Sequence, residues 1–317
     1  MTNDLTFRNP IVANAADPWV LKHTDGNYYF MSTQFGRLEL TQSASLSGLA
    51  AGRKKTIWAP PPGGRYSHNL WAPEIHRLAG KWYVYYTAND GGGDESRRIC
   101  VLENAETDPL EGEWTWKGAL PTPVPGLDGT VFMLRDELYF LYAGYGYFPD
   151  YGSAIYISRM VNPWTLEGEH ILLTAPTMEW EKQGGMAINE GPVMLQRNGY
   201  VFLVYSASTT WSEDYALGML TMNETADPLD PASWKKSVEP VFRKSVQNGV
   251  YATGHNSFTR SPDGKEDWIV FHALPAPAAD TDLRSTRIQK FTWRLDGTPD
   301  FGIPLSDNEA IPVPSGE

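Results

Sequence analysis

With 317 residues, 41% hydrophobic and only 20% charged, the chain is long enough for one large domain or two ordinary ones, and its formal net charge of −12 argues against nucleic acid or an anionic membrane surface as partner. The single cysteine, Cys100, excludes an intrachain disulfide, and no apolar run approaches the ~18–20 residues that a membrane span needs. The opening "MTNDLTFRNPIVANAADPWV" has no basic stretch followed by an apolar one, so the expectation is a cytoplasmic protein without a secretory leader.

The first element runs from Asp17, "DPWVLKHTDGNYYFMST": an apolar strand, a turn at "TDG" and an aromatic strand. The same arrangement returns from Ala72 in "APEIHRLAGKWYVYYTA" and from Asp128 in "DGTVFMLRDELYFLYAG". It returns again from Glu190 in "EGPVMLQRNGYVFLVYSAS" and from His255 in "HNSFTRSPDGKEDWIVFHA". The starts lie 55, 56, 62 and 65 residues apart (17 to 72, 72 to 128, 128 to 190, 190 to 255). In each segment an apolar residue stands three positions after the first: Val20, Ile75, Val131, Val193 and Phe258. Helical periodicity is hard to find, and 29 Gly and 24 Pro are spread without a linker.

Five such repeats predict an all-β, five-bladed β-propeller occupying residues 1–317 as a single catalytic domain. A β-sandwich with appended strands is the alternative, and the repeated register argues against it. In a propeller the equivalent positions on the inner strands converge on one axis. The segment heads Asp17, Ala72, Asp128, Glu190 and His255 are therefore expected to meet there, each ahead of an apolar strand where an unpaired charge is costly. Taken singly, each reads as a strand-start turn residue. Taken together, three carboxylates supply the acid, the base and the neighbouring charge that glycoside hydrolysis uses. The aromatic content of 13% suits half-buried strands and also the walls of a sugar cleft.

The strings "ADPWV", "WAPEIH", "GLDGTVF", "NEGPV" and "GHNSF", in this order and at blade spacing, resemble the blade-start motifs of glycoside hydrolase family 43. The resemblance runs from about Asn9 to "RIQKFTWRLDGTP", and the "RDP" string of the related invertase and levansucrase propellers is absent. It implies a glycosidase acting with inversion, with Asp17 as general base, Glu190 as general acid and Asp128 as the neighbour that orients Glu190 and tunes its pKa. His255 matches a histidine beside a metal ion on the axis, often calcium (Ca2+), which it touches through water; no organic cofactor is implied. Arg287 matches a substrate-contacting arginine, with nearby Arg284 as the alternative. Trp71 and Trp19 are candidate cleft walls or, equally, packing residues between blades.

"NAADPWV" and "INEGPV" are most similar to exo-acting α-L-arabinofuranosidases, with an arabino- or xylo-oligosaccharide as substrate. A β-xylosidase or endo-arabinanase of the same family remains an alternative, as does a non-catalytic carbohydrate-binding propeller. Oligomeric state stays open, with a homo-oligomer among the options.

Overall fold

The computed structural model describes residues 5–146 and 152–317. Five four-stranded antiparallel sheets follow one another along the chain, each built from consecutive strands. Blade I comprises Trp19–Lys22, Tyr28–Met31, Leu38–Ser43 and Arg53–Trp58, and blade II His68–Leu78, Lys81–Asn89, Arg98–Asn104 and Thr115–Ala119. Blade III comprises Gly126–Leu134, Glu137–Gly144, Ala154–Asn162 and Thr165–Thr174. Blade IV comprises Asn189–Arg197, Tyr200–Ala207, Ala216–Asn223 and Lys235–Lys236, and blade V Tyr251–Arg260, Asp267–Leu274, Ser285–Trp293 and Pro299–Asp300. The first strand of each blade contacts the first strand of the next, and blade V contacts blade I, so the inner strands close a ring. This is the expected propeller.

Side chains alternate across a strand, and both faces of each blade are covered by neighbours. The second strand of blade II illustrates the consequence. Trp82, Val84 and Tyr86 pack on Tyr29, Met31 and Leu40 of blade I, whereas Tyr83 and Tyr85 pack on Phe140 and Tyr142 of blade III. The remaining interfaces carry similar clusters, III–IV around Leu141, Leu203 and Tyr205, IV–V around Phe202, Phe242 and Phe271, and V–I around Tyr28, Trp268 and Ile288. Two-sided burial explains why the sequence reads as continuous aromatic runs. Each fully buried large side chain is worth roughly 1.5–3 kcal/mol.

The ring closes through the chain ends. Thr6–Phe7 pairs with Ile311–Pro312, and Ile11 N–H donates to Thr286 O while Thr286 N–H donates to Val12 O. Asn9, 3% exposed, uses its side chain as a strand would: Nδ2 donates to Ile288 O at 2.9 Å, and Oδ1 accepts Ile288 N–H at 3.0 Å. The N-terminal segment thus covers the edge of blade V that Pro299–Asp300, paired only with Thr292 and Trp293, leaves open.

Asn9→Ala would strand both Ile288 groups without partners and is expected to cost about 2–4 kcal/mol. Thermal melts check this, and a melting temperature equal to that of the parent chain would sink the proposed closure.

Candidate active site

The head of every inner strand carries the same irregularity. In blades II to V two residues drop out of the ladder: Ala72 and Pro73, Asp128 and Gly129, Gly191 and Pro192, His255 and Asn256. The first of each pair is in the left-handed region, with φ of 42° at Ala72, 54° at Asp128, 53° at Gly191 and 47° at His255, and Asp17 matches at 55° ahead of blade I. Such a residue departs from the strand and turns its side chain out of the pleat. Asp17, Ala72, Asp128, Gly191 and His255 are therefore the five equivalent axial positions.

Glu190 is not one of them, which corrects the register read from the sequence. It precedes the bulge and is still paired, to Ser206. Likewise Met194, opposite Leu203, and not Val193, matches Val131 opposite Phe140. Aligning Pro18, Pro73 and Pro192 instead of the carboxylates would have found the shift. The one-residue offset has a geometric consequence. Axial Asp17, Asp128 and His255 and the preceding residues Trp71, Leu127 and Glu190 all line one cavity of about 340 Å³. The axial set supplies its floor and the preceding set its wall.

Each bulge is tied to the neighbouring blade. The N–H of Ala72 donates to Thr33 Oγ1 at 2.9 Å, that of Asp128 to Thr87 Oγ1 at 3.0 Å and that of His255 to Ser206 Oγ at 2.7 Å. Asp17 N–H donates to His272 Nδ1 at 3.1 Å, closing the ring from blade V to blade I. The fifth donor, Gly191 N–H, faces Ala143 in the equivalent place and donates instead to Asp128 Oδ2 at 3.1 Å.

The three acids are in different electrostatic states. Burial alone would raise Asp17, but Arg284 Nη1 lies 3.2 Å from Oδ1, and with His255 and His272 nearby the carboxyl sits well below its usual range. Burial lowers His255 and pushes His272 down to about 4, leaving both neutral near pH 7. The lasting stabilisation of Asp17 therefore comes from Arg284, from His272 Nδ1 at 3.3 Å from Oδ1, and from Thr33 Oγ1, which donates to Oδ2 at 2.6 Å. Glu190 is pushed up to about 7, first by burial and then by the charge of Asp17, against a hydrogen bond from Tyr215 Oη at 2.8 Å. Asp128 is raised well above the usual range by burial, then by Glu190 and Asp17. Below the floor, buried Glu74 is also raised by desolvation and lies 3.0 Å from His76, itself pushed down to about 3, so a protonated carboxyl meets a neutral imidazole.

The other sequence expectations divide. Trp71 stands in the wall with the Arg97 guanidinium 3.9 Å over its ring. Trp19 does not: it lies outside this cavity, its ring 4.7 Å from that of His76 and tilted by 43°, with Nε1 donating to Ile75 O, and it packs blade I on blade II. Arg287 is corrected as well. It is 2% exposed, paired with Asp307 and outside the cavity, whereas Arg284 lines it. Tyr215, Thr33 and His272 escaped the sequence reading because only the fold brings them to the acids. His255 Nδ1 lies 3.5 Å from Asp17 Oδ1 and 3.9 Å from Asp128 Oδ2. Among the described residues no group of three or more His, Cys, Asp or Glu is placed to hold a metal directly. A cation on the axis would therefore keep most of its water.

A family model for glycosyl hydrolases family 43 matches residues 7–299. The chain is 42% identical over 312 residues to an extracellular exo-alpha-(1->5)-L-arabinofuranosidase of Streptomyces avermitilis, covering 96% of this chain and 64% of that protein. It is 41% identical over 271 residues to a protein of the same name from Streptomyces chartreusis, covering 84% and 82%. The crystal structure of an alpha-L-arabinofuranosidase from Lactobacillus brevis superposes with a TM-score of 0.91 at 40% identity, covering 96% of this chain and 98% of that one. The chain thus spans under two thirds of the S. avermitilis relative. The two Streptomyces names also overturn the expected cytoplasmic address, since both relatives are called extracellular.

A carboxyl raised in the folded state contributes stability that is fully present below its unfolded pKa and is lost as pH rises through the folded one, here about 7 for Glu190. Glu190→Gln removes that loss. Its gain in melting temperature over the parent chain is expected to be larger at pH 8 than at pH 5, and equal gains at both pH values would refute a raised carboxyl.

Proposed function

Because the chain belongs to glycosyl hydrolases family 43, we propose that it is an inverting, exo-acting α-L-arabinofuranosidase that releases terminal arabinofuranose from arabino-oligosaccharides or from arabinan and arabinoxylan side chains. One observation carries the reading. A carboxyl raised to about 7 and a carboxyl held ionised share a single cavity, the division of labour that acid–base hydrolysis needs near neutral pH. The names of the Streptomyces relatives support the choice of sugar and the exo mode.

In this mechanism Asp17 takes a proton from a water that attacks the anomeric carbon on the face opposite the leaving oxygen. Glu190 gives its proton to that oxygen as the glycosidic bond breaks, and the sugar leaves with inverted configuration. Burial and then the charge of Glu190 hold the proton on Asp128 into a higher range. Asp128 is fixed beside the acid by the Gly191 N–H, the peptide that follows Glu190. Arg284 keeps Asp17 ionised and offers a cationic donor to substrate hydroxyls. The reading includes a hydrated Ca2+ beside His255 that would add positive charge at the floor, but no step passes through it.

Loss of Asp17 is expected to slow every substrate whatever its leaving group. Glu190→Ala should lose about 10²–10⁴-fold on arabino-oligosaccharides and far less on a dinitrophenyl arabinofuranoside, whose leaving group departs without a proton. Equal losses on both substrates for Glu190→Ala would disqualify it as proton donor.

A second comparison separates the arginines. Arg284→Met is expected to raise KM and to move the acidic limb up, because Asp17 loses the charge that keeps it ionised. Arg287→Met should lower the melting temperature and leave KM within about twofold, since the side chain holds Asp307 and not the cavity. The reverse pattern would restore Arg287 as the substrate contact.

A further inference from the structure

We infer that Tyr215 and His272 are positioning residues that form one stacked unit, holding the proton donor at one ring and the strand head of the base at the other. Their rings lie 5.6 Å apart with planes 12° from parallel. Tyr215 Oη donates to Glu190 Oε1 at 2.8 Å, and His272 Nδ1 accepts the N–H of Asp17 at 3.1 Å. The acid comes from blade IV and the base from blade I. The unit spans the blade between them.

Three features make the unit rigid. Both side chains are completely buried, and the loop carrying Tyr215 is tied to blade V by Ala252 N–H donating to Glu213 O at 3.0 Å. Gly254, the ladder partner of His272, supplies the slot for the tyrosine: a Cβ there would stand 2.3 Å from Tyr215 Cε1 and 2.5 Å from Cδ1. His272 Nδ1 stands 3.1 Å from Asp17 N and 3.3 Å from Asp17 Oδ1, so it meets both the backbone and the carboxylate of the base, and the ring stays neutral through burial. A neutral imidazole can hold the base without titrating against it. The inference rests on Glu190 being the donor and Asp17 the base.

The groups facing Glu190 are Asp17, Asp128, Arg284, Arg97, Tyr145 and Tyr215. Tyr215 donates a hydrogen bond to it at 2.8 Å. Tyr215→Phe keeps the stacked ring and removes only the hydroxyl. The donor favours the ionised carboxylate, so its loss raises the pKa of Glu190, and the alkaline limb moves to higher pH. General loosening would have the opposite sign, because water entering the cavity would relieve the desolvation that raises Glu190. The direction of the shift therefore distinguishes positioning from a merely structural role.

The experiment measures kcat and KM of Tyr215→Phe and Gly254→Ala across pH, on an arabino-oligosaccharide and on a dinitrophenyl arabinofuranoside, with melting temperatures and with Glu190→Ala alongside. For Tyr215→Phe the expected result is a loss of about tenfold in kcat on the oligosaccharide, the scale of one hydrogen bond to a charged group. KM and activity on the activated substrate should be nearly unchanged, and the alkaline limb should move up. Gly254→Ala displaces the ring and should lose more on both substrates, because it disturbs the base as well. An alkaline limb that stays or falls in Tyr215→Phe, or equal losses on the two substrates, overturns the inference even when Glu190→Ala behaves as the donor should. If Glu190→Ala slows both substrates equally, the donor assignment and this inference fall together.

Discussion

A left-handed residue at the head of each inner strand is the constraint on which the site depends. Non-glycine residues avoid this region, and each such residue costs of order 1–3 kcal/mol unless its surroundings enforce it. Here Asp17, Ala72, Asp128 and His255 all adopt it. The enforcement comes from outside the blade, through hydroxyls or an imidazole that accept the displaced N–H across the interface. Each cap can form only when the neighbouring blade is docked. Ring closure and the shape of the site are therefore one event, and the aromatic clusters between blades support the catalytic geometry as directly as they support stability.

The same irregularity decided what was legible in the sequence. The five aromatic second strands, "YYFMS" through "WIVFHA", announced the blades because two-sided burial leaves few polar positions to blur them. The bulge was harder to read. Side chains alternate with period two, so one residue of register separates floor from wall, and a Glu beside a Gly imitates an axial acid. Pro18, Pro73 and Pro192 mark the true register, since the second bulge residue makes no ladder bond and tolerates Pro. Arg284 and Arg287 posed a related problem. The first lies in the turn before the strand, where Nε donates to Thr281 O, and reaches the cavity. The second lies within the strand and is spent on Asp307. Nothing local in "LRSTR" distinguishes them.

The cavity concentrates acids without concentrating negative charge. Asp17 is ionised opposite Arg284, and Glu190 and Asp128 hold protons into a higher range. The two histidines at the floor are neutral, so they position without adding a competing cation. Among side chains so deeply buried, any further ionised carboxylate would need its own partner. Among the described residues one guanidinium, that of Arg284, stands within hydrogen-bond reach of Asp17, Asp128 or Glu190, and the proton distribution follows from its place at Asp17.

The ring of caps is incomplete at one place, and that place is informative. Thr33, Thr87, Ser206 and His272 each present a polar atom to the next blade, but the corresponding residue of blade III is Ala143. The Gly191 N–H that it cannot cap is taken by Asp128. A hydroxyl at 143 would complete the fivefold pattern and leave Asp128 without that anchor. Without it, the backbone following Glu190 holds the carboxylate that stands beside it, so any movement of the acid's strand also moves its electrostatic neighbour. Gly191 permits the contact by placing no side chain on the axis, where a Cβ would come within 3.3 Å of His255 Nδ1. The departure from repeat symmetry thus falls at the blade that carries Glu190, and it converts a structural cap into a link between two of the three acids.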